Sequence, residues 1–139
     1  MKQLIIGCSA FFMVMLTSSC NSTKSVDSAP VTGTEWELST INGSAPIADE
    51  FNNGLPTINF TTDNKVNGKG GCNGYSGTYT LTDKGALTLG PLMSTKMFCP
   101  GGGENKYMAA LQKANTTKVA DGKLMLMNGT EEVLVFTKK

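Results

Sequence analysis

Asp121-Gly122 and Asn128-Gly129 cut the C-terminal part of this chain into three runs that are too short for stable helices. The runs are Thr117-Lys118-Val119-Ala120, Lys123-Leu124-Met125-Leu126-Met127 and Glu132-Val133-Leu134-Val135-Phe136. Both dipeptides favour the primed turns whose twist matches that of paired strands, so a three-stranded antiparallel meander is predicted here. The same punctuation recurs upstream. Trp36 and Leu38 alternate with Glu35, Glu37 and Ser39, the period-2 pattern of a strand with one buried face, and Asn42-Gly43 ends it. Thr57-Ile58-Asn59-Phe60-Thr61 and Lys65-Val66-Asn67 flank Asp63-Asn64, while Thr78-Tyr79-Thr80-Leu81 and Ala86-Leu87-Thr88-Leu89 flank Asp83-Lys84-Gly85. Each pair reads as a hairpin, and Gly90-Pro91 closes the second.

Two stretches break this rhythm. Residues 44–54 hold Pro46, Ile47 and Phe51 without a clear period and read as a loop with at most a helical turn. Residues 104–115 place Tyr107, Met108, Leu111 and Ala114 at helical spacing, behind a glycine run and Glu104, whose charge suits a helix N-terminus. A helix of about three turns is marginal alone, so its apolar stripe must dock on a sheet. The expected fold class is therefore mostly β with one helix: an antiparallel sandwich or partly closed barrel of about eight short strands, with the helix near 104–115 packed on it.

The N-terminus follows a different logic. Lys2 precedes an apolar run over residues 4–16, about 13 residues long, which is too short to span a bilayer but right for the core of a secretory signal. Leu16-Thr17-Ser18-Ser19-Cys20 behind it resembles the lipobox of bacterial lipoproteins, cut before a cysteine that carries lipid on its thiol; Thr17 stands where leucine is more usual. The alternative is an ordinary cleaved signal with an incidental cysteine. Residues 21–32 are polar and lack apolar periodicity, as in a flexible tether that could reach roughly 40 Å when extended. The expected division is a signal peptide at 1–19, a tether at 20–32 starting from lipidated Cys20, and one folded domain at 33–139. Residues 21–24 carry neither an acidic run nor an aspartate after Cys20. The outer membrane, facing the periplasm, is the expected location.

Charge and composition exclude several function classes. The 139-residue chain has no histidine, and its 12 basic residues are all lysines, against 11 acidic ones. A nearly neutral chain without arginine offers neither a basic field nor a bidentate phosphate ligand, so no nucleic-acid partner is expected. Serine and cysteine triads with histidine are impossible, as is histidine-ligated zinc. The expectation is no enzyme activity and no cofactor.

Cys8 leaves with the signal and Cys20 would be acylated, so Cys72 and Cys99 remain. Outside the cytoplasm two such cysteines most often pair, and the loop they would close is worth roughly 3.6 kcal/mol in chain entropy. The alternative is two buried thiols in a reduced protein. Cys72 lies in the glycine-rich stretch Gly68-Lys69-Gly70-Gly71-Cys72-Asn73-Gly74-Tyr75. This stretch lacks the Gly-Lys-Ser/Thr and following helix of a phosphate loop. Glycines there instead permit positive φ and close backbone approach around a bridge. Redox catalysis is disfavoured, because no Cys-x-x-Cys motif or histidine lowers a thiol pKa. Met93, Met97, Met108, Met125 and Met127 read as core filling rather than soft copper ligands. Met125 and Met127 share one strand face, giving either an exposed patch or a second buried face beneath the helix.

Trp36-x-Leu38, Gly71-Cys72-Asn73-x-Tyr75-x-Gly77, Ser94-Thr95-x-Met97-x-Cys99, a helix and a closing Leu124-x-Leu126 hairpin follow one another in this order. Over residues 33–136 the chain resembles the META domain of HslJ-like bacterial lipoproteins. Phe98 departs from the family pattern, which more often has a small residue there. The resemblance implies a small β-rich domain with one helix in an envelope lipoprotein, heat-inducible in HslJ and associated with stress or antibiotic tolerance. It has no catalytic residues to carry over, and it implies that Cys72 and Cys99 face each other. The functional expectation is a monomeric, non-enzymatic lipoprotein, held at the membrane by the lipid on Cys20 and binding an envelope protein partner. An alternative is a small-ligand carrier using the barrel interior. A further one is a protease inhibitor offering residues 98–104 as its loop.

Overall fold

The computed structural model describes residues 30–139. The expected signal at 1–19, the expected lipid site Cys20 and most of the expected tether lie outside the described residues. Packing already begins at Val31, which lies against the core and accepts a hydrogen bond from the Trp36 indole at 3.2 Å. Thr32 pairs with Phe60.

Nine antiparallel strands form the domain. They are β1 (Glu35–Ile41), β2 (Thr57–Phe60), β3 (Lys65–Lys69), β4 (Gly74–Leu81), β5 (Leu87–Leu89), β6 (Met93–Ser94), β7 (Thr116–Ala120), β8 (Lys123–Asn128) and β9 (Glu131–Lys138). The sheet order is β5-β4-β3-β2-β1-β9-β8-β7, with β6 pairing β4 beside β5. An Ala86–Thr116 bridge and the Thr117 N–H to Gly85 carbonyl bond, 2.7 Å, draw β7 to the strand at the other end. The sheet is thus a nearly closed barrel. The three expected hairpin groups are all present: β2/β3, β4/β5 and the β7-β8-β9 meander.

The count exceeds expectation by one strand, β6, which lies in the segment leading to Cys99. Two residues are too few for any period to show. The glycine-rich stretch is divided between two strands and a short turn. Gly68-Lys69 ends β3 and Gly74-Tyr75 opens β4, leaving only residues 70–73 as the turn. Gly68 faces β2 so closely that a Cβ there would run into the Thr57 carbonyl, so glycine serves here as a strand residue.

The one α-helix among the described residues, α1 (Gly103–Lys113), begins after Gly102 at φ 74° and buries Tyr107, Ala110 and Leu111. Residues 44–54 hold one short 3-10 turn, Ala48–Glu50. Tyr107 is fully buried inside the barrel, where its ring meets Phe136 of β9 edge-on and its hydroxyl lies 2.7 Å from that of Tyr75 on β4. With Trp36, Leu38, Ile58, Phe60, Leu124, Leu126 and Leu134 it fills the interior. These side chains occupy the interior that the carrier alternative would need open.

Strand direction fixes the two ends of the molecule. The chain enters beside Phe60, at the far end of β2. Thr57, Lys69 and Gly74 lie together at the other end, next to Cys72 and the start of α1.

Candidate functional site

At that second end the two cysteine segments meet. Cys72 and Cys99 form a disulfide with Cα atoms 6.3 Å apart. Around it runs a hydrogen-bond network centred on Asn73, which is only 6% exposed. Its side-chain NH₂ donates to the Met97 carbonyl at 3.1 Å and to Glu104 Oε1 at 3.0 Å. Its side-chain oxygen accepts from Thr95 Oγ1 and from the Met97 N–H, both at 2.8 Å. Glu104 Oε2 accepts the backbone N–H groups of Cys72 and Asn73 at 3.2 and 2.7 Å. The start of α1, the β3–β4 turn and the segment after β6 are thereby locked into one body.

The consequence is a display. Both backbone polar groups of Met97 are held by one buried amide and Cys99 is tied covalently, so the side chains between them point outward. Phe98 is 94% exposed and Met97 61%, with Met93 on β6 exposed at 72%. Beside Phe98 lies a surface hollow of about 240 Å³. Its floor is Gly71, the disulfide and Phe51, and its walls include Asn52, Asn53 and Asn105. Gly71 sits at φ 113°, and a Cβ there would press on the Phe51 ring at 2.7 Å.

The site residues expected from sequence therefore separate. Cys72 and Cys99 come together, and Cys20 lies outside the described residues. The methionines are distributed over β6, the disulfide segment, α1 and β8. Leu124 and Leu126 are buried while Met125 and Met127 are half-buried on the opposite face of β8, so the methionine face is an outer surface, not a second face under the helix. Among the described residues no group of three or more acidic or cysteine side chains is placed to hold a metal. Sequence reasoning missed Asn73 as a hub and gave Glu104 only the role of a charge at a helix N-terminus. An asparagine next to a bridging cysteine was the available signal. The acceptor that completes it lies 31 positions away.

Three solved structures share this fold. A protein solved by NMR is 22% identical, with a TM-score of 0.61 and 77% of this chain and 90% of that one covered. A second NMR structure, of a protein from Burkholderia xenovorans, is 27% identical with a TM-score of 0.61 over 78% of this chain and 83% of that one. A crystal structure of a DUF4847 family protein from Bacteroides vulgatus is 14% identical with a TM-score of 0.57, covering 77% and 93%. No curated protein matches the chain. The META domain pattern matches residues 29–139, from just before the first packed residue to the last, and the chain therefore belongs to the META domain family.

Proposed function

We propose that this chain is a non-enzymatic lipoprotein of the bacterial cell envelope, held by a lipid on Cys20 in the outer membrane and facing the periplasm, whose META domain binds another envelope protein. The observation that carries this reading is the display of Met97 and Phe98 on a backbone fixed by Asn73 and the disulfide. Binding energy concentrates in rigid aromatic anchors, and a loop ordered before binding loses little entropy on contact. The display also stands at the end of the barrel opposite the point where the chain enters. A domain tethered through its N-terminus would thus present Phe98 away from the membrane, towards soluble partners. The inhibitor reading finds less support. Gly101 and Gly103 are seated against the backbone of Asp49 and Glu50, where a Cβ would approach within 2.7 and 2.6 Å, so little of residues 98–104 stands free to enter a protease cleft.

Cross-linking of the full-length acylated protein in its own membrane, followed by pull-down, tests the proposal against Phe98→Ser and Met97→Ser. A protein captured by the native chain and lost from both variants is the expected result, and equal capture by all three overturns it. Cys20→Ala should move the protein from the membrane to the soluble fraction. A role in stress tolerance is removed if deletion leaves survival of heat and envelope-active drugs unchanged.

A further inference from the structure

The hollow beside Phe98 has a chemistry that partner binding through the rim does not use. No lysine lines it, and its two carboxylates are already engaged: Glu104 by Cys72 and Asn73, and Glu50 by the Lys106 ammonium. An anionic ligand would meet two carboxylates and no cation in the walls. The positive end of α1, which elsewhere attracts anions, here faces the chain's own Glu104. A cationic ligand would have to compete with Lys106 and with three hydrogen bonds for the same oxygens. A wholly apolar ligand would strip water from the amides of Asn52, Asn53 and Asn105 with nothing to replace it.

What remains is a neutral ligand rich in hydroxyl groups. Each amide offers donors and an acceptor without charge, which matches neighbouring hydroxyls that themselves donate and accept. Asn52 already gives its NH₂ to the Asp49 carbonyl at 3.1 Å, which orients its oxygen, while Asn53 and Asn105 are exposed on two sides of the hollow. Phe98 at the rim supplies apolar surface for the C–H face of a ring, above a floor that the disulfide and the buried Phe51 support. We infer that this hollow is a binding site for a neutral sugar unit of a glycan chain. The site lies at the end of the domain away from the tether, where a polysaccharide of the envelope could reach it.

Amide chemical shifts of the ¹⁵N-labelled full-length protein, titrated with the trimer of N-acetylglucosamine and with maltotriose, test this. The two probes separate an amino-sugar chain from a plain hexose chain, and a saturable response to either supports the site. Shifts are expected at residues 51–53, 71–73, 98 and 102–105, with a Kd on the order of 1 mM, as befits a shallow neutral site. Asn53→Ala with Asn105→Ala should weaken binding by about tenfold or more while leaving the remaining amide shifts in place. No saturable response to either trisaccharide overturns the inference. So does a response that the double variant leaves unchanged, or a response to a lysine tripeptide alone. Neither asparagine belongs to the Met97–Phe98 rim. The double variant should therefore still capture the protein partner, and failure of one proposal is distinguishable from failure of the other.

Discussion

Asn73 uses both ends of its one side-chain amide twice, and its backbone N–H and carbonyl are bonded as well, the latter to Gly70 at 2.8 Å. Removing such a group leaves its former partners, among them the Met97 backbone and Glu104, without replacements. Each orphaned partner costs about 1–3 kcal/mol where water cannot reach it. Asn73→Ala is therefore expected to lower unfolding stability by about 3 kcal/mol in a denaturant titration, whereas Thr95→Val, which deletes the one part-buried bond of an exposed residue, should cost about 1 kcal/mol or less. Asn73→Ala should also release Met97 and Phe98, seen as faster proteolysis after residue 98. At this scale the sequence was least legible. Cysteine pairing was more legible, since an expected signal holding Cys8 and an expected lipid site at Cys20 leave only Cys72 and Cys99. An asparagine has many uses, and only the meeting of residues 73, 95, 97 and 104 selects this one.

At the scale of elements, hairpins were readable because their turns carry their own chemistry. Asn42-Gly43 and Asp121-Gly122 both place consecutive residues at positive φ, 47° and 77° in the first pair and 51° and 72° in the second, the type I′ pattern expected. Near Asn128-Gly129 the turn shifts by one residue. Asn128 pairs with Glu131, so Gly129 at φ 62° takes the first central position, the II′ pattern, with a bulge at Met127. The helix, Gly103–Lys113, falls within two residues of its expected span of 104–115 at each end because its stripe is internal to one segment. β6 was not readable, since a two-residue strand owes its existence to β4. The disulfide joins the segment after this small element to the β3–β4 turn, across a sequence separation of 27. Closing such a loop restricts the unfolded chain by about 3.6 kcal/mol, and native bridges typically deliver about 2–4. Cys72→Ser with Cys99→Ser should therefore fold, held by the Asn73 network and the filled barrel. Its denaturation midpoint should drop by the equivalent of about 2–4 kcal/mol, and added reductant should move the native protein the same way while leaving the variant unaffected.

At the scale of the whole molecule, Tyr75 of β4 and Tyr107 of α1 meet hydroxyl to hydroxyl in the buried interior. Burial raises the hydroxyl pKa of both Tyr75 and Tyr107 above the ordinary value of 10.0, with Tyr107 pushed further by its neighbour. The folded state thus keeps two protons that the unfolded chain gives up near pH 10, so their stabilising contribution is full below that pH and declines steadily above it. Alkaline titration should show a steep loss of stability above about pH 10, with the phenolate absorbance of these two tyrosines appearing only as the fold opens. Tyr107→Phe removes one proton from this linkage and should make the alkaline decline shallower, at a cost near neutrality of about 1 kcal/mol, since Tyr75 keeps its 2.9 Å bond to the Thr57 carbonyl.

Alternation, turn dipeptides and one helical stripe are local properties, and they were enough to determine a mostly β domain with a single docked helix, as well as the absence of histidine-based chemistry. Closure of the sheet through Ala86 and Thr116, the filling of the barrel by Tyr107, and the gathering of Asn73, Glu104 and the disulfide beneath Phe98 were decided only in three dimensions. Each joins segments roughly 20 to 30 or more residues apart, and such pairings follow from volume, register and hydrogen-bond completion in the assembled core, none of which a linear pattern carries.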